Sequence, residues 1–145
     1  MPANTVPIFP LTPNVSWGKV ITADATAAKN HDGTAEGAVL LFTAGANGAR
    51  VDEIKAVPLG TNVASALRIL INNGSANTTA ANNVLTFDVS LAAITISEIA
   101  GQTAVQVLKP DDNKAITLPA GYKLYGCIGT TVATGWAVAC IGSDF

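Results

Sequence analysis

The sequence predicts an all-β protein: a single-domain β-sandwich, jelly-roll-like, with an extended N-terminal arm. Helical periodicity is almost absent, and clusters of Gly, Asn, Thr and Pro recur at short intervals between segments rich in β-branched residues. About eight to nine strands with several long connections fit a double-sheet jelly roll better than a meander. A length of 145 residues suits one domain. We expect residues 1–16 to form the arm and residues 17–145 the sandwich.

The arm is apolar although it is rich in proline. Pro2, Pro7, Pro10 and Pro13 remove backbone donors, so the segment can be neither a helix nor a central strand. It also carries apolar side chains that something should cover, namely Val6, Ile8, Phe9 and Leu11. The cover is either the body of the same chain or a neighbouring molecule.

After the arm, β-rich segments alternate with turn residues along the whole chain. We predict strands at 17–23, 38–43, 49–57, 65–72, 84–91, 104–108, 114–118, 121–128 and 135–141. The stretch 92–103 contains several β-branched residues, so we do not expect a helix there. The stretch 72–83 has no apolar residue larger than Ala and predicts a long exposed loop. Asn47-Gly48 and the stretch 129–135 predict hairpin turns.

Alternation assigns faces to three of these strands. In 49–57 it groups Val51 with Glu53 and Lys55, so this strand is only weakly amphipathic and its register is poorly specified. Two other strands, 65–72 and 84–91, read as half-buried. Their inward residues are predicted to be Leu67, Ile69 and Ile71 in the first, and Leu85, Phe87, Val89 and Leu91 in the second.

No residue pattern predicts a catalytic, cofactor or metal site. The lone His31, next to Asp32, lies in a polar Gly-containing stretch and reads as a solvated loop histidine rather than a ligand or a base. Asp111, Asp112 and Asn113 follow Pro110 and predict a turn, because they lack the ligand spacing of a helix-loop-helix calcium site. We therefore expect no enzyme.

The two cysteines and the aromatic residues are further candidates for a site. Cys127 and Cys140 lie at mirrored distances from the 130–134 turn, which would bring them close on neighbouring strands, and we expect both to be buried free thiols. Trp136, near a strand end, is expected in the core or an interface rather than on a sugar platform. Tyr125 lies on a strand that we expect to face a second copy.

Charge is scarce in this chain. Charged residues make up 12% of it, about half the usual share, and the net charge is −2. A charge-poor surface favours contacts with copies of the chain or with a partner, so we expect a dimer or trimer. The basic residues form no stripe for phosphate, which argues against nucleic acid. No stretch has the length of a membrane span, and no basic start precedes an uninterrupted apolar run, so we expect neither a membrane protein nor an export signal.

Three stretches read together resemble a known family: "AVPLGTNVASALRILINNGS", "AANNVLTFDVSL" and "LPAGYKLYGCIGTTVATGWAVACIGSDF". They are similar to small virion structural proteins of tailed bacteriophages, some of which are jelly-roll cement or decoration proteins of the capsid. The similarity covers roughly residues 38–145 and leaves the arm outside. The resemblance is one of strand and turn phrasing, not of a catalytic motif.

The resemblance implies a virion protein, assembled in the host cytoplasm, that binds the major capsid protein. A cement protein of this kind lies between coat-protein subunits and opposes the outward pressure of packaged DNA. On this reading the arm is an extended clasp whose residues enter a groove on a neighbour, with Tyr125 on a second contact face. The alternative is a tail or fibre module that binds a host glycan or receptor through exposed aromatics and the 72–83 loop.

Overall fold

The computed structural model describes residues 9–110 and 114–145. The predicted partner residues Val6 and Ile8, and the predicted turn residues at 111–113, lie outside these ranges. The described residues form β1 (Thr12–Ile21), α1 (Thr26–Asn30), β2 (Val39–Thr43), β3 (Ala49–Pro58), β4 (Ser65–Asn72), a 3-10 turn (Ala80–Asn82), β5 (Asn83–Leu91), β6 (Val105–Leu108), β7 (Ile116–Leu118), β8 (Lys123–Ile128) and β9 (Trp136–Asp144).

The strands form two antiparallel sheets packed face to face. One sheet has the order β1-β9-β3-β6, with β7 also paired to β3, and the other has the order β2-β8-β4-β5. The pairs are nested along the chain: the first strand pairs with the last, β2 with β8, β3 with β6 and β7, and β4 with β5. A long hairpin wrapped over itself gives this order, which is that of a jelly roll, so the predicted fold class is confirmed.

The predicted start of the first strand at residue 17 is wrong, because β1 begins at Thr12 inside the segment assigned to the arm. Pro13 lies opposite Ser143 of β9, and among the described strands none pairs with β1 on its other side. An edge position tolerates proline because the missing N–H is not needed there. The ladder continues to Leu11, whose N–H donates to the Asp144 carbonyl at 2.7 Å.

The main core lies between the sheets, and a smaller layer lies outside the second sheet. Trp136, Ile54 and Leu124 are among the fully buried residues of the main core, so the core placement of Trp136 is confirmed. Outside the second sheet, a cluster of small residues from α1 and its flanking loops covers Leu70 and Cys127. The sequence did not predict this helix, which contributes mainly Ala27 and Ala28 to the cluster.

A β-bulge explains why the 49–57 strand looked weakly amphipathic. The register of β3 against β9 shifts between Val51 and Glu53, so Asp52 is an extra residue. The buried positions therefore change phase, from Ala49 and Val51 before the bulge to Ile54 and Ala56 after it. The predicted grouping of Val51 with Glu53 and Lys55 is wrong, since a bulge reverses the alternation.

The neighbouring strands depart from simple alternation for two further reasons. In β5 a register shift against Ile69 and Leu70 skips Thr86, so Leu85 pairs with Leu70 on the outer face and is exposed rather than inward. In β4 the inner face is predicted correctly, but the strand is not half-buried. Its outer residues Leu70 and Asn72 are also buried, the first by the cluster of small residues outside the sheet.

Two stretches that were predicted to be hairpin turns instead connect strands of different sheets. The turn at Asn47-Gly48 joins β2 to β3, and the stretch 129–135 joins β8 to β9; in each case the two strands belong to different sheets. The 72–83 loop does join paired strands, and Asn side chains hold it, as in the 2.8 Å bond from Asn72 Nδ2 to Asn83 Oδ1. Residues 92–103 contain no helix. Within the described ranges, no helix is long and apolar enough to span a bilayer.

Candidate functional site

The edge strands β1 and β2 lie side by side at one flank of the sandwich, and a groove of about 390 Å³ runs between them. It is lined by Asn14, Val15, Ser16, Trp17, Lys19, Leu40, Leu41, Phe42 and Thr43. Lys19 is the one charged residue among the described residues that line the groove. The groove is therefore suited to an uncharged, partly apolar occupant.

Strand β1 carries an apolar row that continues into the predicted arm. Every second residue from Phe9 to Trp17 is apolar, and Phe9, Leu11 and Trp17 expose 66%, 78% and 83% of their surface. Val15 belongs to the same row and is also exposed. Exposed apolar residues scattered singly are normal in soluble proteins, whereas a contiguous row marks an interaction surface.

A bulge places Trp17 at the groove. Ser16 pairs with Cys140 and Lys19 pairs with Val138, so Trp17 and Gly18 both lie opposite Ala139. Gly18 has a φ of +38°, in the left-handed region that favours glycine. The bulge ends the alternation of the strand at Trp17, and the described residues leave the indole ring largely uncovered.

Hydrogen bonds close the groove at the end nearest the arm. Asn14 Nδ2 donates to the Thr43 carbonyl at 3.0 Å and to Asp144 Oδ1 at 2.9 Å. The same carboxylate oxygen accepts from the Gly45 N–H at 3.0 Å. These bonds tie β1, the turn after β2 and the end of β9 together, so the groove has a fixed end wall.

Tyr125 lies on the other sheet, in a row that crosses all four strands of its outer face. Leu40 pairs with Tyr125, Tyr125 with Leu70, and Leu70 with Leu85. Leu40 and Leu85 are exposed, while Tyr125 is half-buried and packs against the small-residue cluster of the same chain. The predicted partner residues are thus divided: Leu11 extends the first sheet, Phe9 precedes it in the chain, and Tyr125 lies on the second sheet.

A second, more polar cavity lies beside α1 and has a volume of about 480 Å³. Its charged groups are paired: Lys29 Nζ is 2.5 Å from Asp24 Oδ2, and Arg68 Nε donates to Asp88 Oδ2 at 3.2 Å. His31 follows α1 and places Nε2 3.4 Å from the same Asp88 oxygen. The histidine is half-exposed, as predicted, but it contacts Asp88 rather than water alone. Because Lys29 and Arg68 are each paired with a carboxylate, the cavity has no excess positive charge with which to hold an anion.

The two cysteines are buried free thiols, as predicted, but their predicted proximity is wrong. Cys127 is on β8 and Cys140 on β9, and these strands belong to different sheets. Cys140 belongs to the core between the sheets, and Cys127 to the cluster outside the second sheet. Burial raises the pKa of Cys127 to about 11 and that of Cys140 to about 12. Thiols held neutral in this way are poor nucleophiles and poor metal ligands.

Within residues 9–110 and 114–145, no group of three His, Cys, Asp or Glu side chains is close enough to hold a metal ion. Comparison of the chain with protein-family models, curated proteins and solved structures found no match. The candidate site therefore rests on its own geometry.

The partner residues predicted from the sequence did not include Trp17, Asn14 and Leu40. A signal for the first was present, because "FPLTPNVSW" has an apolar residue at every second position, which is the period of a strand. The prolines up to Pro13 favoured an arm, so this two-residue period was not interpreted as a strand. Leu40 had no such signal, since its position beside β1 depends on which strands form the edges of the two sheets.

Proposed function

We propose that this chain is a structural protein of a tailed-bacteriophage virion, most simply a capsid cement protein that binds between coat-protein subunits. The observation that carries the proposal is the exposed apolar row on β1, which continues into Phe9 and Leu11. A chain with few charges and an uncovered row of this kind is suited to a large assembly. The resemblance of residues 38–145 to virion proteins is the reason for proposing a phage particle. The exposed row on β1 is the reason for proposing a contact surface on this protein.

The function consists of association without turnover. A protein that joins two coat subunits adds buried apolar area at their boundary, at about 25 cal/mol per Å² before ordering costs are subtracted. Because the arm is rich in proline, which restricts its backbone before binding, it loses less entropy on binding than a flexible tail of the same length. The major capsid protein is the proposed partner, and a dimer or trimer of this chain would multiply the contacts.

The test is localisation in intact particles followed by removal and return of the protein. Electron microscopy of purified virions should place the sandwich on the outer surface of the head, between coat subunits. Heads that lack it should release DNA at a lower temperature, and the purified protein should restore the original temperature. Localisation on the tail, or heads equally stable without the protein, would contradict the cement role.

A glycan-binding or receptor-binding module of a tail or fibre is the second candidate, and Trp17 favours it. An exposed indole beside a groove is a common platform for a sugar ring. A glycan array distinguishes the two candidates. Binding that is lost in Trp17→Ala but kept in Ile99→Ala, a variant at another exposed apolar residue, would favour this module over the cement role.

A further inference from the structure

At Leu11 the described part of the chain runs away from the groove. Strand β1 runs from Thr12 to Ile21, and the groove lies along Asn14 to Lys19. Leu11 extends the ladder with β9 in the opposite direction, through its bond to the Asp144 carbonyl. To reach its own groove, the arm would have to reverse at Pro10 and pass the bond between Asn14 and the Thr43 carbonyl. An arm from another molecule meets no such obstacle.

The groove and the arm match in length. Five residues of β1 line one wall of the groove, and the segment 14–19 that holds them spans about 20 Å at the rise of a β-strand. Residues 2–9 of the arm, extended at about 3.1 Å per residue, reach about 25 Å. One arm is therefore long enough to occupy the whole groove.

The two surfaces also match in chemistry. Residues 2–9, with the sequence "PANTVPIF", contain no charged side chain, and Lys19 is the one charge among the described groove residues. Aromatic-lined grooves bind proline-rich segments through side chains, because the extended segment is already ordered before it binds. Trp17 supplies an aromatic side chain to the groove from β1, and Leu40 lines the groove from β2.

Strand pairing is not the mode of this contact. Pro13 lacks a donor, and the bulge at Trp17 and Gly18 interrupts the free edge of β1. Pro2 and Pro7 remove two donors from the arm as well. A groove contact through side chains needs none of these hydrogen bonds.

We infer that the β1–β2 groove binds residues 2–9 of a second copy of this chain. The contact goes beyond the proposed function, since it joins copies of the chain in solution and does not require the capsid. Each molecule offers one arm and one groove. Two copies can exchange arms in a symmetric dimer, or three or more can pass arms around a closed ring.

Disulfide trapping between separately purified variants tests the inference. Ile8→Cys places a thiol on the arm, and Leu40→Cys places one at the groove. The native thiols Cys127 and Cys140 are buried and protonated near neutral pH, so they do not compete in the folded protein. The two variants are mixed at micromolar concentration under mild oxidation and separated without reductant.

A linked pair of chains from this mixture is the expected result. The yield should exceed that of a matched mixture of Ile8→Cys with Ile99→Cys, in which the second thiol replaces a residue that is 99% exposed outside the groove. Docking raises the local thiol concentration from micromolar toward millimolar, by up to about a thousandfold, so the initial rate of linkage should be at least about a hundredfold higher than in the control mixture.

Two outcomes would overturn the inference. Equal yields from both mixtures would show that the arm does not enter the groove of another copy. A double variant, Ile8→Cys with Leu40→Cys in one chain, would overturn it if the bond formed within single chains at every protein concentration. Linkage that grows with concentration in the double variant supports the second copy as the occupant.

Discussion

Deletion of residues 2–9 separates a contact between molecules from packing within one molecule. The deletion keeps Leu11 and its bond to the Asp144 carbonyl, so the β1 ladder stays intact. Of the removed residues, Phe9 lies within the described part of the chain and is 66% exposed. Its buried third is worth about 0.5 to 1 kcal/mol, since full burial of such a side chain is worth about 1.5 to 3 kcal/mol. At about 2 to 4 °C per kcal/mol, Tm should fall by no more than about 4 °C.

The effect on association should be larger. Burial of Val6, Ile8 and the exposed part of Phe9 in a neighbour's groove is worth about 4 to 8 kcal/mol in total. Ordering these side chains costs about 0.5 to 1.5 kcal/mol each, and fixing the backbone between the prolines takes much of the remainder. A net contribution of about 1.4 to 2.8 kcal/mol corresponds to a ten- to hundredfold weaker Kd after the deletion.

Sedimentation equilibrium and scanning calorimetry on the same truncated protein give the two quantities. The control is Ile99→Ser, which removes an exposed apolar side chain from the 92–103 stretch and should change neither. An unchanged self-association constant combined with a Tm lowered by more than about 10 °C would refute the reasoning. That pair of results would mean that residues 2–9 cover the edge of their own sandwich.

Three further outcomes follow from the described contacts. Asn62→Ala should lower the free energy of unfolding in urea by about 2 to 4 kcal/mol, because the 3% exposed Asn62 side chain bonds both the N–H and the carbonyl of Gly135; a loss below about 1 kcal/mol would contradict this. Because folding raises the pKa of both thiols, they ionise first in the unfolded chain, near pH 9.0, and stability should fall as the pH rises from 9 toward 11. The fall in Tm should be larger in the wild type than in Cys127→Ala/Cys140→Ala, and equal falls would argue against burial of the thiols. Trp17→Ala should change stability by no more than about 0.5 kcal/mol and still weaken self-association; a large loss of Tm would place the indole in the fold instead.

The strands were predictable because their cause is local. In β4 the alternation of Leu67, Ile69 and Ile71 matches the pleat, and the strand has the bounds predicted from the sequence. Where a bulge intervenes the same rule fails, as at Asp52 in β3, because the extra residue reverses the faces and the residue types do not show at which position it lies. The weak amphipathicity of that strand was a consequence of the bulge.

The strand order and the small-residue cluster outside the second sheet were harder to predict from the sequence. Turn chemistry at Asn47-Gly48 predicts a turn correctly, but it does not say whether the next strand joins the same sheet. The cover over Leu70 comes from alanines around α1, and small residues give no hydrophobic period by which to find such a helix. The arm candidates Phe9 and Leu11 were identified from composition alone, whereas the groove depends on the strand order of both sheets.

The edge strand itself gives the strongest physical reason to expect a specific partner. Proteins blunt exposed edges with proline, bulges and lysine, and β1 has all three, in Pro13, the bulge at Trp17 and Gly18, and Lys19. These devices hinder the unlimited strand pairing that leads to aggregation. They do nothing to hide the apolar row that ends at Trp17. An edge strand that cannot pair through its backbone, but exposes apolar side chains, binds a partner through side-chain contacts. A proline-rich segment is such a partner, because it has few backbone donors and can bind through its side chains.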